Sequence, residues 1–592
     1  MHSPRRAFTI ILSAFTLLAL AFNVVTPLGE APDEVSHFSY VRHIAATWRL
    51  PQPRGAVFGE VFQPPLYYFL AAPLTAWQAP GPLPVEANAD WALSDPRRGF
   101  NVLIQLPAAR WPWQGEALAW HIARLLSAVL GLVAVVATAG IARRTFPEQP
   151  WVAVAAAAFV AFLPQFAFLS GACNNDALAT ALGSLVLWQL ARLLTGEGER
   201  WQGWALLGLL GGLGIWTKTS GWVFAGTVAS GGLLAARQWP SQAWRRALGP
   251  AVVAWTVTAT PWLLWNWGQS GDPLGWGLMR QVTDARPAPL SAGEAWAVAR
   301  GAYASFWAGF GGAAHLHFPP VVQGLTALLV ALAAVGLARL WHRRHRLPAA
   351  TRRLVPLWGL HLGLVILALV EWTRTVLGTG QGRLLFPALP AIAVLFSGGW
   401  LALWRNPARD RPAALALSGG MLALSLAAIP FVLRPLVAPP LPPPVRADIP
   451  AVEWRVGDAL VLERYAFPWT VDSHLPPGSS AELYVAWGAR AALPDLRLRL
   501  QLIDRKNRPL WIKEGTLSAG RDTSDQWPAE TTNLPAWHRV TIPPGTPPGW
   551  YRLMLSVHPA GDPAPLPITD PAGTFLGEQV MIGQVTVTEA TR

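Results

Sequence analysis

Four short polar segments stand beside long apolar stretches of this sequence, and their residue types suit acid–base and anion-binding chemistry. The first is Ala31-Pro-Asp-Glu-Val-Ser-His37, in which two carboxylates precede an imidazole. Charged groups beside membrane helices are costly, so they mark a functional site by default. A carboxylate there can act as a general base, and Asp33 and Glu34 are the candidate catalytic residues. The alternative is that they cap a helix that begins after Pro32.

The imidazole of His37 follows Glu34 by three residues, on the same face of the predicted helix. His37 is therefore a candidate substrate-binding residue. The pair would also suit a metal ion, but no Asp-x-Asp motif accompanies it. His315-x-His317 is a second pair of this kind, with an ordinary loop as the alternative. The sequence predicts no metal site and no cofactor.

The other three segments supply aromatic, amide and cationic side chains. Two prolines in Phe62-Gln-Pro-Pro-Leu-Tyr-Tyr68 fix the start of an aromatic helix, whose tyrosines can also be interface anchors. Asn174-Asn175-Asp176 is either a helix N-cap or a wall of the site. Lys218 and Arg383 can hold a lipid phosphate, unless they only snorkel to the membrane surface. The candidate substrate-binding residues are His37, Gln63, Tyr67, Asn175, Asp176, Lys218 and Arg383.

The apolar stretches that position these segments indicate a protein with many membrane-spanning helices. Of the 592 residues, 52% are hydrophobic and 13% are charged, whereas a soluble domain has about 25% charged residues. This composition excludes a disordered chain and a small soluble enzyme. About eleven runs have spanning length. They lie near residues 7–26, 119–141, 151–170, 176–195, 201–217, 219–236, 248–267, 319–341, 354–371, 384–404 and 413–434.

The distribution of arginine predicts the orientation of these helices. The net charge is +13, and arginines gather in short clusters between apolar runs, such as Arg143-Arg144 and the block 339–353. Such clusters are typical of cytoplasmic loops, so no nucleic-acid partner is predicted. With the N-terminus in the cytoplasm, all four polar segments fall on the outer side, and an odd number of helices places the C-terminus outside. The single cysteine, Cys173, allows no intramolecular disulfide there.

Composition divides the chain into three predicted parts. Residues 1–435 form a transmembrane domain with two long outer loops, at 27–118 and 268–318. A proline-rich stretch at 436–445 is a stiff linker. Residues 446–592 form a domain outside the membrane.

The last part has the period-two pattern of β-strands. Leucine occupies every second position from 496 to 502, and apolar residues alternate in the same way from 551 to 557. Pro-Pro-Gly turns at 543–545 and 547–549 separate such runs. The pattern predicts a small antiparallel β-sandwich.

Taken in order, the polar segments resemble those of the membrane glycosyltransferases of the GT-C superfamily. The likeness covers about residues 1–435 and is strongest to bacterial family 39, the protein mannosyltransferase and aminoarabinose transferase type. Members of the aminoarabinose type have an acidic residue and a lysine where this sequence has Phe62 and Gln63. The residues that carry the resemblance are Pro32-Asp-Glu34 with His37, Gln63-Pro-Pro-Leu-Tyr-Tyr68, Asn175-Asp176, Thr217-Lys218 and Gly382-Arg383-Leu-Leu-Phe-Pro387.

The resemblance implies an inverting glycosyltransferase in the bacterial plasma membrane. The donor would be a sugar linked to a polyprenyl phosphate, and the acceptor a glycan, lipid or protein at the outer face. Asp33 would deprotonate the acceptor hydroxyl with support from Glu34, while Arg383 and Lys218 would hold the donor phosphate. This chemistry needs a base on one side of the anomeric carbon and a cation on the other, because positive charge develops on the sugar while negative charge develops on the phosphate.

Two other functions stay open on the sequence. A transporter or flippase for a lipid or glycan would show internal repeats and polar residues at mid-membrane, and neither is evident. A non-catalytic envelope glycan assembly protein would keep the scaffold and bind glycan through its sandwich. The retention of Asp33, Glu34 and Arg383 argues against this last alternative.

Overall fold

The structure is a computed structural model that divides into two compact units. The first comprises Met1–Leu83 and Trp111–Arg434, and the second comprises Pro84–Arg110 and Pro435–Arg592. Residues 84–110, which the sequence analysis placed in an outer loop of the transmembrane domain, are thus part of the second unit. Of the expected extended linker at 436–445, residues 436 and 437 belong to a short helix at Arg434–Val437, and residues 439–441 lie outside the described residues. The structure describes residues 4–52, 59–91, 101–197, 201–236, 241–283, 285–286, 288–404, 406–438, 442–467 and 474–588.

The first unit is built of helices, because a helix satisfies its backbone hydrogen bonds within one segment and can therefore cross a membrane. A 3-10 segment at Gly382–Ala388 leads into the helix Leu389–Ala402. A short helix, α17, at Arg434–Val437 begins at the last residue of this unit and continues into the second unit. The other helices are α1 Pro4–Val25, α2 Glu34–Thr47, α3 Leu66–Thr75, α4 Gly115–Thr145, α5 Pro150–Ala161, α6 Pro164–Ser170, α7 Asp176–Arg192, α8 Trp201–Ile215, α9 Trp222–Ala236, α10 Ser241–Ser270, α11 Trp276–Val282, α12 Ala292–Trp307, α13 Pro320–His342, α14 Ala349–Thr375, α15 Leu389–Ala402 and α16 Asp410–Ala428.

The prediction of a polytopic helical membrane protein is confirmed, but the count of about eleven spans is not. Among the described residues, seven helices are long and apolar enough to cross a membrane, or eight if α5 and α6, bent by 61°, form one span. The run near 248–267 lies in α10, which is long but is not among these apolar helices. The runs near 201–217 and 219–236 become α8 and α9, which have 15 residues each. At 1.5 Å per residue each is about 22 Å long, which is shorter than the roughly 30 Å hydrocarbon core of a bilayer.

The helices pack so that polar segments at several of their ends meet. α4 lies against α1, α5 and α7, and α7 also contacts α8 and the 3-10 segment. Asp176 begins α7, Lys218 lies between α8 and α9, and Arg383 is the second residue of the 3-10 segment. Packing of these elements brings together Arg383 and Asp176, which are 207 positions apart in the chain.

The second unit contains the predicted β-sandwich. Its two larger sheets have the strand orders β5-β13-β10-β7-β8 and β12-β11-β3-β4-β6-β9, and β1 and β2 form a separate pair. The strands are β1 Val85–Ala87, β2 Leu103–Gln105, β3 Ala451–Val456, β4 Leu460–Ala466, β5 His474–Leu475, β6 Ser480–Ala489, β7 Leu496–Ile503, β8 Pro509–Thr516, β9 Thr531–Thr541, β10 Gly549–Pro559, β11 Ile568–Thr569, β12 Phe575–Gly577 and β13 Val580–Val587.

The alternation of leucine along β7 buries one face of that strand, as the sequence predicted. β7 pairs with β10 in an antiparallel register that sets Leu500 opposite Leu555. Both leucines belong to one core that also includes Leu462 and Trp487 of the other sheet. The sandwich is confirmed, and burial of its inner faces is its main source of stability at about 25 cal/mol per Å² of apolar surface.

Ion pairs fix the segment 84–110 within the second unit. Asp90, whose side chain is 1% exposed, is paired with Lys513, and its Oδ2 lies 3.4 Å from Nδ1 of His538. Glu86 adds a pair with Arg497, at 3.1 Å between Oε1 and Nη2. The sandwich therefore includes a piece of chain that precedes it by more than 300 residues.

Candidate active site

A cavity of about 440 Å³ in the first unit gathers most of the predicted site residues along one wall. The rest of its lining is largely apolar and comes from α9, α11 and α14, with side chains such as Trp222, Trp276, Met279, Leu369 and Trp372. A ligand that fits both the polar wall and the apolar remainder of the cavity has a polar head and an apolar tail. The polar wall consists of Asp33, His37, Glu60, Gln63, Asn175, Lys218 and Arg383, and a third carboxylate, Glu371 of α14, lines the cavity among the apolar side chains.

Arg383 lies at the centre of the polar wall, between two carboxylates. Its Nη1 donates to Oδ2 of Asp176 over 3.0 Å, and its Nη2 donates to Asp33. Its Nε donates to Oε1 of Gln381 over 2.7 Å. The side chain is 8% exposed, so the guanidinium is held in one orientation. These contacts use three of the five N–H groups of a guanidinium, and the fork can still donate to an anion in the cavity.

Helix α12 holds the chain segment that carries Arg383. The backbone N–H of Gly382 donates to Oγ of Ser305 over 2.8 Å. A Cβ on Gly382 would lie 2.3 Å from the backbone nitrogen of Phe306 and 2.4 Å from the carbonyl oxygen of Ala302. Only glycine allows the two backbones to approach this closely, and the approach sets the position of the guanidinium.

Asp176 binds both cations of the wall. Its Oδ1 accepts from Nζ of Lys218, and its Oδ2 accepts from Arg383. The carboxylate is 2% exposed, while the side chain of Lys218 is 16% exposed. Asp176 therefore fixes the spacing of two positive groups. Asn175 is the N-cap residue of α7 but makes no side-chain capping bond, whereas Oδ1 of Asn174 accepts from the backbone N–H of Ala177 over 3.0 Å.

Asp33 faces the cavity from the start of α2. Its φ of 61° is left-handed, and its side chain makes no capping bond to the helix. The carboxylate is 44% exposed and pairs with Arg383. The surrounding protein interior raises the pKa of Asp33, but Arg383 and His37 more than offset this effect, and the pKa is lowered. The capping alternative therefore does not describe Asp33, which is ionised at neutral pH.

Glu60 is a cavity residue that the sequence analysis missed. Its Oε2 is buried and has no hydrogen-bond partner within the part of the chain that the structure describes. Burial, followed by the charge of Asp33, raises the pKa of Glu60 to about 7. A signal was present in the sequence, because Glu60 is the only carboxylate between Glu34 and Glu86 and precedes the motif at 62–68 by two residues.

Three neutral side chains complete the polar wall. Nδ1 of His37 lies 2.9 Å from the hydroxyl of Tyr68. Burial lowers the pKa of His37 to about 4, so the imidazole is neutral at pH 7. Nδ2 of Asn175 donates to Oε1 of Gln63 over 3.2 Å. These groups can donate to or accept from the hydroxyl groups of a sugar.

Glu34 lies behind the cavity wall and does not line it. Its two oxygens accept from Nε and Nη2 of Arg124, each over 2.7 Å, and both side chains are 0% exposed. It also accepts from the backbone N–H groups of Cys173 and Gly29, over 2.8 Å and 3.1 Å. Glu34 therefore anchors the loop that carries Asp33 to α4.

Tyr67, like Glu34, lies behind the cavity wall and does not line the cavity. Its hydroxyl lies 2.9 Å from Oγ of Ser127 in α4 and accepts from the backbone N–H of Asn174 over 3.2 Å. The ring is fully buried and does not line the cavity. The structure thus places Tyr67 where it supports the segment that leads to Asp176.

The pairs considered for metal binding are engaged by protein groups. Glu34 is paired with Arg124, and Nδ1 of His317 lies 2.8 Å from the carbonyl oxygen of Ala308. In the described ranges, no three histidine, cysteine, aspartate or glutamate side chains come together as metal ligands.

A sequence profile of the family described as dolichyl-phosphate-mannose-protein mannosyltransferase matches residues 119–265. This match confirms the predicted resemblance to membrane glycosyltransferases over that part of the chain. The matched part includes Asn175, Asp176 and Lys218, whereas Asp33 and Arg383 lie outside it. A comparison with curated proteins gives no match.

Among solved structures, this chain is similar to ArnT from Cupriavidus metallidurans in the apo state. The similar region covers 72% of this chain and 65% of the ArnT chain, at 18% identity and a TM-score of 0.44. For ArnT from the same organism bound to undecaprenyl phosphate, the similar region covers 72% of this chain and 73% of the ArnT chain, at 15% identity and a TM-score of 0.41. The C-terminal domain of Wzt is a third similar structure. The similar region covers 25% of this chain and 83% of the Wzt domain, at 10% identity and a TM-score of 0.17. This chain thus spans about two thirds of the length of the ArnT structures.

Proposed function

We propose that this protein is an inverting glycosyltransferase that uses a sugar donor linked to a polyprenyl phosphate. The observation that carries the proposal is the two-part cavity, in which a wall with two cations adjoins a largely apolar wall from α9, α11 and α14. Such a cavity suits a phosphate that carries a sugar on one side and an isoprenoid chain on the other. The family profile adds support, because its description names a lipid-phosphate-linked sugar and it spans Asp176 and Lys218.

The donor phosphate binds to Lys218 and Arg383 in this proposal. Asp176 presents both cations from one carboxylate, at a fixed spacing. An arginine fork and a lysine ammonium together neutralise a phosphate better than either one, because charge-assisted hydrogen bonds are about twice as strong as neutral ones. The isoprenoid chain lies along the tryptophan and leucine side chains of the apolar wall.

The reaction proceeds by attack of an acceptor hydroxyl on the anomeric carbon. A new carbon–oxygen bond forms on one face of the sugar while the bond to the phosphate oxygen breaks on the other, so the anomeric configuration inverts. Lys218 and Arg383 stabilise the leaving phosphate, and the carboxylate of Asp33 stabilises the positive charge that develops on the sugar. A carboxylate in the cavity takes the proton of the hydroxyl. The motif resemblance assigns this role to Asp33, and Glu60 is a second carboxylate in the same cavity.

The remaining candidates divide into two groups by location. His37, Gln63 and Asn175 face the cavity and are proposed to bind the sugar or the acceptor. Glu34 and Tyr67 are proposed to position the segments that carry Asp33 and Asp176. Arginine clusters such as Arg143-Arg144 favour placing the site at the outer face of a bacterial plasma membrane. The acceptor is a glycan, lipid or protein that reaches this face.

A binding experiment in nanodiscs tests the cationic wall. We expect the wild-type protein to bind undecaprenyl phosphate, and Lys218→Met to weaken binding roughly ten- to a hundredfold. That range corresponds to the loss of about 1.5–3 kcal/mol, which is typical of a hydrogen bond to a charged group. Lys506→Met is the matched control, since Lys506 is exposed in the sandwich. Equal binding by the wild-type protein and Lys218→Met would remove Lys218 from the phosphate site.

A turnover experiment tests the reaction. Purified protein is supplied with a panel of radiolabelled polyprenyl-phosphate sugars and candidate acceptors, and release of free polyprenyl phosphate is followed. We expect one donor to be consumed with inversion at the anomeric carbon. Binding of undecaprenyl phosphate without consumption of any donor would instead favour the transporter or the non-catalytic assembly protein.

A further inference from the structure

We propose that Glu60, rather than Asp33, is the general base that receives the proton of the acceptor hydroxyl. The inference rests on the proposed glycosyl transfer and names a residue for one of its steps. It starts from the geometry of the cavity, in which Glu60 and Asp33 are the two carboxylates of the polar wall and have different partners. The third lining carboxylate, Glu371 of α14, is exposed and pairs with Arg374.

The two carboxylates differ in how their oxygens are engaged. Asp33 is bound by the guanidinium of Arg383, which holds it ionised and makes it a weak proton acceptor. Gln63 lies close enough to lower the pKa of Glu60, whereas Oε2 of Glu60 is buried and has no hydrogen-bond partner among the described residues. A buried oxygen of this kind needs a partner, because an unsatisfied buried acceptor costs about 1–3 kcal/mol. Glu60 as a residue is partly exposed and lines the cavity, so the O–H group of an acceptor can approach its carboxyl from there.

The charges around Glu60 suit a group that alternates between two protonation states. The charged and titratable groups that act on Glu60 or are affected by it are Asp33, Lys218, Arg383 and Tyr68. Burial and Asp33 raise the pKa of Glu60, and the two cations lower it, with a result of about 7. A general base works best when its pKa lies near the operating pH, because it is then ionised often enough and binds a proton strongly enough.

Proton transfer to Glu60 also keeps the total charge of the cavity constant during glycosyl transfer. The O–H bond of the acceptor breaks and its proton moves to Glu60, while the oxygen forms a bond to the anomeric carbon. The bond between that carbon and the phosphate oxygen breaks, and its electron pair leaves with the phosphate. Glu60 therefore becomes neutral as the phosphate gains a negative charge, and the total charge of the cavity stays constant. Asp33 remains ionised throughout, where it orients Arg383 and faces the sugar.

The first test measures protonation without any substrate. Infrared difference spectra are recorded for the purified protein in nanodiscs during a pH titration. We expect the wild-type protein to show a protonated carboxyl band that disappears near pH 7, and Glu60→Gln to lack it. In Asp33→Asn the same band should disappear at lower pH, because the charge of Asp33 is one of the causes that raise the pKa of Glu60. A band that persists in Glu60→Gln, or its absence from the wild-type protein, overturns the proposal.

The second test measures the pH profile of kcat/KM for the donor that is consumed. We expect the wild-type rate to fall below about pH 7, as it should when a base with this pKa becomes protonated. Glu60→Gln should lower the rate by about 10²–10⁴-fold and remove this fall, with unchanged binding of undecaprenyl phosphate. Glu60→Asp should keep the fall at a reduced rate. Glu148→Gln, an exposed carboxylate in the turn between α4 and α5, is the control.

Asp33→Asn separates the two candidate bases. If Glu60 is the base, the fall in rate persists in Asp33→Asn and moves to lower pH. If the fall disappears in Asp33→Asn while Glu60→Gln retains the wild-type profile, Asp33 is the base and the proposal is wrong. Failure of the wild-type protein to bind undecaprenyl phosphate would contradict the proposed function itself, whereas normal binding with an unaltered Glu60→Gln variant contradicts only the role of Glu60.

Discussion

At the scale of single residues, the polar wall depends on one guanidinium that holds two carboxylates at once. Arg383 contacts Asp176 and Asp33 with different nitrogens. A lysine at this position carries one point charge and no planar fork, so it can keep the charge but not the geometry. The same distinction applies to a phosphate, which the fork can bind through two parallel hydrogen bonds.

Replacement of Arg383 by lysine tests this dependence on geometry. We expect Arg383→Lys to bind undecaprenyl phosphate about tenfold to a hundredfold more weakly, because one charge-assisted bond is lost while the charge remains. Arg508→Lys, an exposed arginine paired with Asp504 in the sandwich, is the matched control. If Arg383→Lys binds as tightly as the wild-type protein, the site needs only a positive charge there.

A second residue-scale prediction concerns Glu34, which the structure places in a fully buried pair with Arg124. Removal of one partner of a buried ion pair leaves the other uncompensated and costs about 3–5 kcal/mol. Glu34→Gln should therefore lower the melting temperature, and turnover should fall with it. Glu34→Gln combined with Arg124→Met should regain part of the stability. A large loss of turnover at an unchanged melting temperature would instead indicate that Glu34 acts directly on the substrate.

At the scale of elements, the contact between α12 and the 3-10 segment sets the position of Arg383. A methyl group on Gly382 would lie 2.3 Å from the backbone nitrogen of Phe306, so the two backbones must separate. Overpacking of this kind costs about 1–3 kcal/mol. A shift of about 1 Å at a catalytic group can cost about a hundredfold in rate.

We therefore expect Gly382→Ala to reduce turnover about a hundredfold and to weaken donor binding, with a modest fall in melting temperature. Gly419→Ala is the matched control, because a Cβ on Gly419 in α16 meets no atom within 4 Å. Unaltered turnover in Gly382→Ala would show that the 3-10 segment tolerates the displacement and that the close backbone approach is not required.

A helix or strand could be predicted from the sequence where the residues of that one segment carry the pattern. The first helix, the helix after Pro64-Pro65 and the alternating strand β7 follow from runs of apolar residues and from prolines. The number of spans was not predictable in the same way. α8 and α9 are apolar but too short, α5 and α6 are separated by a bend, and α10, which contains the run near 248–267, is long but is not among the helices apolar enough to cross a membrane. Within the site, polar motifs identified Asp176 and Arg383, whereas Glu60 stands in no motif and enters the cavity only through the fold.

At the scale of the whole molecule, the second unit is built from two stretches that are far apart in the sequence. The segment 84–110 precedes the sandwich by more than 300 residues, yet it contributes Asp90 to a buried cluster with Lys513 and His538. Burial alone would raise the pKa of Asp90, but His538 and Lys513 outweigh it and hold the pKa far below its usual value. The carboxylate of Asp90 is therefore ionised at neutral pH, and its contacts join two distant stretches of sequence within one structural unit.

Asp90→Asn tests whether this cluster holds the segment in place. A carboxylate with a lowered pKa contributes stability that is complete above its unfolded pKa of about 3.9 and is lost only as the pH falls through the lower folded value. At pH 7 the substitution should therefore remove the full contribution, about 3–5 kcal/mol for a broken buried pair. Hydrogen–deuterium exchange on the full chain should then show faster exchange in β1, β2 and the facing strand β8. Asp458→Asn, an exposed carboxylate in the turn between β3 and β4, should leave the exchange unchanged. Equal protection of β1 and β2 in Asp90→Asn and the wild-type protein would mean that backbone pairing and apolar contacts alone retain the segment, and that the buried charges add no net stability.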